Sequence, residues 1–296
     1  MAPSLTIRPL SPADIPTVTE WARREGFAPG AGDVEIYRHT DRQGVWVGCL
    51  GSEPVGCIAG VRYNAAYGFI GLFLVVPEHR GKGYGIQLWR QALEHLSDLP
   101  TIGLEAAPDR VEDYAGWGFV PASPTTRWRR PGSGASTRPA ETGPCLAATW
   151  CLVQGEAVPE RAVQRFDARR EPTPRPHFLR QWLHQPIGTV HALVDRQGAC
   201  HGFGRLRPCL LKRGEGWRVG PLVADHPAAA RALLEGLLQN HPGVVLIDGP
   251  GANAQAPPLL RSLGFTPVSS TLRMYRGEVP TASLEEVYGL ACLELG

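Results

Sequence analysis

The chain has 296 residues, 43% hydrophobic and 20% charged, the balance of an ordinary water-soluble globular protein with room for about two domains. Thirty basic against 28 acidic residues leave a formal charge of +2, too weak a field to call for DNA, RNA or anionic lipid as a partner. No apolar run approaches a membrane span, and seven scattered cysteines without a Cys-x-x-Cys pair imply neither a disulfide framework nor a zinc site.

Leu5 to Leu10 alternates as a short strand, and Ser11-Pro12-Ala13-Asp14 opens a helix with serine at the cap and proline at its first position. Val45–Leu50 and Val55–Tyr63 are expected strands, separated by the turn Gly51-Ser52-Glu53-Pro54. The run Phe69-Ile70-Gly71-Leu72-Phe73-Leu74-Val75-Val76 is short, apolar and stopped by Pro77, the pattern of a buried strand. A glycine-rich loop follows. Leu88, Trp89, Ala92, Leu93 and Leu96 then recur at helical spacing, and Thr101–Ala106 reads as another strand. Strand, loop, helix, strand is a crossover unit, so the fold class is α/β or α+β with a mixed sheet flanked by helices.

Residues 130–144 contain no aliphatic side chain larger than alanine and are expected to be a linker between a first domain, 1–129, and a second, 145–296. The second half echoes the first. Gly220–Asp225 matches the buried strand, Ala230, Leu233, Leu234, Leu237 and Leu238 the helix, and Val244–Asp248 the next strand. Each half then reaches the same Gly-Phe pair, Gly118-Phe119 and Gly264-Phe265, which points to a duplication.

The chemistry is expected in the loop Pro77-Glu78-His79-Arg80-Gly81-Lys82-Gly83-Tyr84-Gly85. Glycines at 81, 83 and 85 let the main chain approach a ligand, a helix N-terminus stands behind them, and Arg80 and Lys82 add charge, which together suit a diphosphate. Gly81-Lys82 is followed by Gly83, so a nucleoside-triphosphate P-loop does not fit. A dinucleotide fingerprint has different glycine spacing.

Arg80-Gly81-Lys82-Gly83-Tyr84-Gly85 resembles the Arg/Gln-x-x-Gly-x-Gly/Ala loop of the general-control N-acetyltransferase (GNAT) superfamily, over residues 5–128. The whole chain is similar to a two-domain branch, with a divergent second GNAT-like domain. The resemblance implies acetyl-CoA as cosubstrate, with the amides of Arg80, Gly81, Lys82, Gly83, Tyr84 and Gly85 on its pyrophosphate and the backbone of Leu74, Val75 and Val76 along its pantetheine arm. It also implies that Tyr114, four residues before Gly118, is the general acid at the sulfur; a phenol has the proton to give a departing thiolate. The alternative is a tyrosine packed against the sheet.

The attacking amine must also lose a proton, and Glu105 is the expected base, unless it is a structural hydrogen-bond partner. Trp21, Phe27, Tyr63 and Tyr67, with Tyr37, fall where the superfamily forms its acceptor pocket; for each ring taken singly, ordinary core packing is the favoured reading. No metal is expected. The loop of the second half reads Asp225-His226-Pro227-Ala228-Ala229-Ala230 and Leu260 replaces the tyrosine, so one cofactor site per chain is expected, in the first half. Arg207 and the segment Asp248–Asn253 are open to two readings, substrate contacts or turn and capping residues. The expected function is direct N-acetylation of a small-molecule amine, such as an amino acid or polyamine, by a cytoplasmic monomer or homodimer without nucleic-acid or membrane partners. The rivals are protein or peptide acetylation and a non-catalytic coenzyme A sensor or scaffold.

Overall fold

A computed structural model describes residues 4–132, 150–239 and 241–296. The expected linker therefore lies almost wholly outside the described residues. The first half runs β1 (Leu5–Pro9), α1 (Ile15–Glu25), α2 (Asp33–Thr40), β2 (Val45–Leu50), β3 (Glu53–Arg62), β4 (Tyr67–Val75), α3 (Tyr84–His95), β5 (Thr101–Ala106), α4 (Val111–Ala115) and β6 (Val120–Arg130). The second repeats that order: β7 (Cys151–Gln154), α5 (Glu160–Asp167), α6 (Pro176–His184), β8 (Thr189–Val194), β9 (Cys200–Leu210), β10 (Glu215–Ala224), α7 (Pro227–Leu238), β11 (Val245–Pro250), α8 (Ala256–Ser262) and β12 (Thr266–Gly277). A short β13 (Val287–Gly289) follows.

The local reasons are those read from the sequence. Asp14 completes a capping box with Ser11 before α1, and Gly26, at φ +84°, ends that helix in the left-handed conformation. Gly118 and Gly264 repeat this device at φ +85° and +82°, after α4 and α8. In both places the phenylalanine that follows donates its N–H to the carbonyl five residues back, Tyr114 or Leu260. The duplication is thus visible in the helix endings as well as in the element order.

All strands join one sheet of order β1-β2-β3-β4-β5-β12-β6-β11-β10-β9-β8-β7, with β13 beside β10. Among the described residues only β4/β5 and β10/β11 are parallel. The two halves are interleaved. β12, the last long strand of the second half, pairs with β5 (Met274 opposite Leu104), and β6 of the first pairs with β11 (Trp128 opposite Ile247). One face carries α3 and α4 over Leu88, Trp89, Ile102 and Leu104, and further along α7 and α8 over Leu233, Val245 and Leu260. The opposite face holds a single core from both halves, in which Val18, Tyr37, Phe166, Phe178 and Trp182 of α1, α2, α5 and α6 meet.

Candidate active site

The pairing of β4 with β5 runs from Tyr67 opposite Thr101 to Ile70 opposite Leu104 and stops there. At Leu72 the backbone turns to φ +48°, and β4 carries one residue more than β3 across this stretch. Such a bulge bends a strand and ends its pairing. Beyond it Gly71–Val75 pair with β3 alone, while Glu105 and Ala106 of β5 pair with β12. The sheet therefore opens into a V whose β4 arm has an unpaired edge.

The glycine loop stands at the end of that arm. Gly81 and Gly83 take φ +73° and +82°, and a Cβ at either would meet nothing within 4 Å, so the torsions demand glycine and the space around them is open. The N–H groups of Gly81, Lys82, Gly83, Tyr84 and Gly85 have no acceptor among the described residues. They converge with the positive end of the 12-residue α3. This cradle fits a diphosphate, and the unpaired edge fits an amide-bearing arm. The flanking cations act differently from expectation. Arg80 donates to Val75 O at 2.8 Å and pairs with Glu25 at 2.5 Å, and Lys82 donates to Glu78 O at 2.8 Å. Both tether the loop, Arg80 in an ion pair and Lys82 through a carbonyl that leaves its charge in place.

Tyr114, on α4, packs its ring 5.1 Å from that of Trp89, which in turn lies 5.7 Å from Phe73 of the splayed arm. The tyrosine is only partly covered, yet burial pushes its phenol above the ordinary value, keeping it protonated at neutral pH.

Glu105 does not have the environment of a base. Its carboxylate accepts from Arg273 Nε at 2.7 Å, Thr125 Oγ1 at 3.0 Å and Thr271 Oγ1 at 2.6 Å, and its side chain is 1% exposed. Both carboxylate oxygens are taken by donors of the sheet itself, so the structural alternative is the one observed. For the aromatics, core packing is the reading observed. Tyr63 and Tyr67 are buried, stacked 6.0 Å apart, and Tyr63 donates to Leu295 O. Tyr37 is buried against Cys292 and Glu294, while Trp21 and Phe27 are partly buried edges of the shared core. The second half fills the space where these rings were expected to meet an acceptor.

A family model described as the Acetyltransferase (GNAT) family matches residues 15–113, and one described as an Acetyltransferase (GNAT) domain matches residues 163–289. The chain belongs to the GNAT superfamily, as a tandem of two such domains. It is an acyltransferase of the GNAT kind. It is 29% identical over 293 residues to a holothin acyltransferase of Pseudoalteromonas sp. (strain SANK 73390), covering 98% of this chain and 94% of that protein. In fold it resembles a Pyrococcus horikoshii protein provisionally assigned as an acetyltransferase, with TM-score 0.77 and 22% identity over 99% of this chain and 96% of that one. A tandem GNAT protein from the clavulanic acid biosynthesis pathway gives TM-score 0.60 and 18% identity over 94% and 100% of the two chains.

The second GNAT domain opens its own V where β10 leaves β11 after Val219 and Ile247, but the chain closes it. β13 pairs with β10 at Leu222 and Val223, and Leu290 donates to Asp248 O at 2.8 Å. The helix behind it is capped from within. His226 Nδ1 accepts from Ala228 N–H at 3.1 Å, and Pro227 offers no N–H. Of the two cradles in this tandem, only the first is open.

Between the domains lies a buried ionic cluster. Arg207 holds Asp33 through two hydrogen bonds at 2.6 and 2.7 Å, both side chains being 0% exposed. Asp248 accepts from Arg127 at 2.7 and 3.0 Å and from Arg218 at 2.8 Å. Asn253 caps α8 and donates to Val287 O. Pairing and capping is thus the role these residues fill. Beside the cluster, on the face of the sheet opposite α3, a cleft of about 900 Å³ is lined by Arg24, Arg127, Arg129, Lys212, Arg213 and Ser269, among others. The sequence reading missed it, because its cations come from three separate segments and form no run.

Proposed function

We propose that this GNAT protein transfers the acetyl group of acetyl-coenzyme A to the primary amine of a small molecule. The observation that supports it most is the set of five amides without acceptors at Gly81–Gly85, set at the mouth of an unpaired strand edge. Bound there, the thioester supplies an activated acyl carbon and a sulfur leaving group. The chain's own residues do the rest. The loop amides and α3 hold negative charge, and the free edge of Gly71–Val75, on the side away from β3, orients the arm and offers donors to a developing oxyanion. Tyr114 holds a proton at Oη for a thiolate with an ordinary pKa near ~8.5. Glu105 fixes Arg273, Thr125 and Thr271 at the floor of the V, a positioning role. The amine proton leaves to water.

Calorimetry with coenzyme A, followed by thiol release with a panel of amines, tests the reading. Heat of binding with one site, and thiol release that requires both protein and amine, is the expected result. Absence of coenzyme A binding by pure protein ends it, and binding with no turnover of any amine or lysine peptide favours the sensor instead.

A further inference from the structure

We propose that the acceptor amine also carries a carboxylate or phosphate group, which the cationic cleft at the junction of the two domains holds. This rests on the acyl-transfer reading above. The argument begins with strand alternation. Leu104 and Ala106 of β5 face α3, so Glu105 faces the other side of the sheet, where its partners Thr125, Thr271 and Arg273 stand. Along β6 the same face continues from Thr125 to Arg127 and Arg129, and along β12 from Arg273 and Thr271 to Ser269. These rows lead from the floor of the V into the cleft over four residues of β6, roughly 13 Å of strand. The other wall is the last turn of α1. Arg24 lines the cleft there, and the adjacent Glu25 is the residue that holds Arg80 of the glycine loop. Donor cradle and cleft therefore share a wall and a floor.

The charge in the cleft has one sign. No carboxylate lines it among the described residues. Arg127 is balanced by Asp248 and Arg24 by Glu20. Arg129, Lys212 and Arg213 are exposed and form no ion pair among the described residues, although 28 acidic residues were available to place there. Three uncompensated cations around one open cleft attract anionic oxygens and repel a polyamine, which removes one of the two acceptor classes expected from the sequence. The Lys212-Arg213 pair sits at the tip of the β9–β10 hairpin, so the second domain, which lacks a donor site of its own, supplies the charge that selects the acceptor.

The test uses matched amines with the full chain: O-phosphoethanolamine against ethanolamine, glutamate against its diamide, and spermidine. The anionic member of each pair is expected to exceed its neutral partner by about tenfold or more in kcat/KM, with a gap that narrows at high salt. The triple variant Arg129→Ala, Lys212→Ala, Arg213→Ala should remove that gap through KM while coenzyme A binds as before. Equal use of neutral and anionic amines, preference for spermidine, or a gap that survives in the triple variant overturns the proposal. Should no panel member be acylated, inorganic tripolyphosphate is titrated into protein saturated with coenzyme A, which occupies the glycine loop. Binding to the wild type that the triple variant loses sustains the proposal, and identical heats overturn it. Failure of coenzyme A itself to bind is a separate result, and it brings down the acyl-transfer reading instead.

Discussion

Gly83 shows how much of the site is backbone. At φ +82° an L side chain costs about 1–2 kcal/mol, and a Cβ branch would project into the open space that the amides line. Gly83→Val is expected to weaken coenzyme A binding at least about tenfold while the thermal midpoint moves by only a few degrees; calorimetry and a melting curve check this. Tyr114→Phe removes only an oxygen from a ring that keeps its packing on Trp89. It should lower kcat by about a hundredfold with coenzyme A affinity unchanged, as expected of a proton donor. Because burial raises this phenol, the alkaline limb of the wild-type kcat profile should lie above the ordinary ~10. An unchanged kcat in the variant assigns Tyr114 to packing alone. The glycine torsions of the loop were legible in the sequence because they follow a local pattern. The place of Glu105 was not: Arg273 and Thr271 reach it from more than 160 residues away, across a strand pairing that no spacing announces.

Among the elements, β13 is the one on which the expected number of donor sites rests. It occupies the edge of β10 that corresponds to the unpaired edge of β4, and the chain beyond it crosses to the first domain, where Tyr63 donates to Leu295 O. The expected stoichiometry is one coenzyme A per chain, and two equivalent sites would contradict this assignment of β13. The sequence showed the second loss, through Pro227 and the absent glycines, but not that a strand closes the gap, since three residues of Val287–Gly289 carry no pattern of their own. The same elements are locked together by Asp33 of α2 and Arg207 of β9. Arg207→Met leaves a buried carboxylate without its partner, and should cost about 3–5 kcal/mol. Joint replacement of Asp33 and Arg207 by apolar residues should recover part of that loss in a chemical denaturation series. Full stability in the single variant would mean that the pair contributes nothing.

Taken whole, the molecule is one sheet and not two beads on a string, because β12 completes the first domain and β6 the second. The internal repeat was legible, since each copy keeps its element order, yet a repeat predicts two self-contained sheets equally well. Which copy a terminal strand joins depends on contacts such as Met274 opposite Leu104 that no periodicity encodes. Interleaving makes the domains unfold together, and the ionic cluster between them sets where acid does this. Burial alone would push the Asp248 carboxyl up, but Arg127 and Arg218 outweigh it and leave its pKa at about 2. Asp33 is likewise held below the ordinary carboxylate range, by Arg207 against the effect of burial. A carboxyl with a depressed folded-state pKa contributes stability that is present above its unfolded value, near ~3.9, and is lost as pH falls toward the folded one. For Asp248 that contribution is about 2–3 kcal/mol. Stability should therefore decline between about pH 4 and pH 2, with hydrogen exchange in β4 and in β10 rising at the same pH. Asp248→Asn should lower stability at neutral pH and flatten that decline. If one half of the sheet instead opened at a pH where the other stayed protected, the interleaved strands would not be coupling the domains.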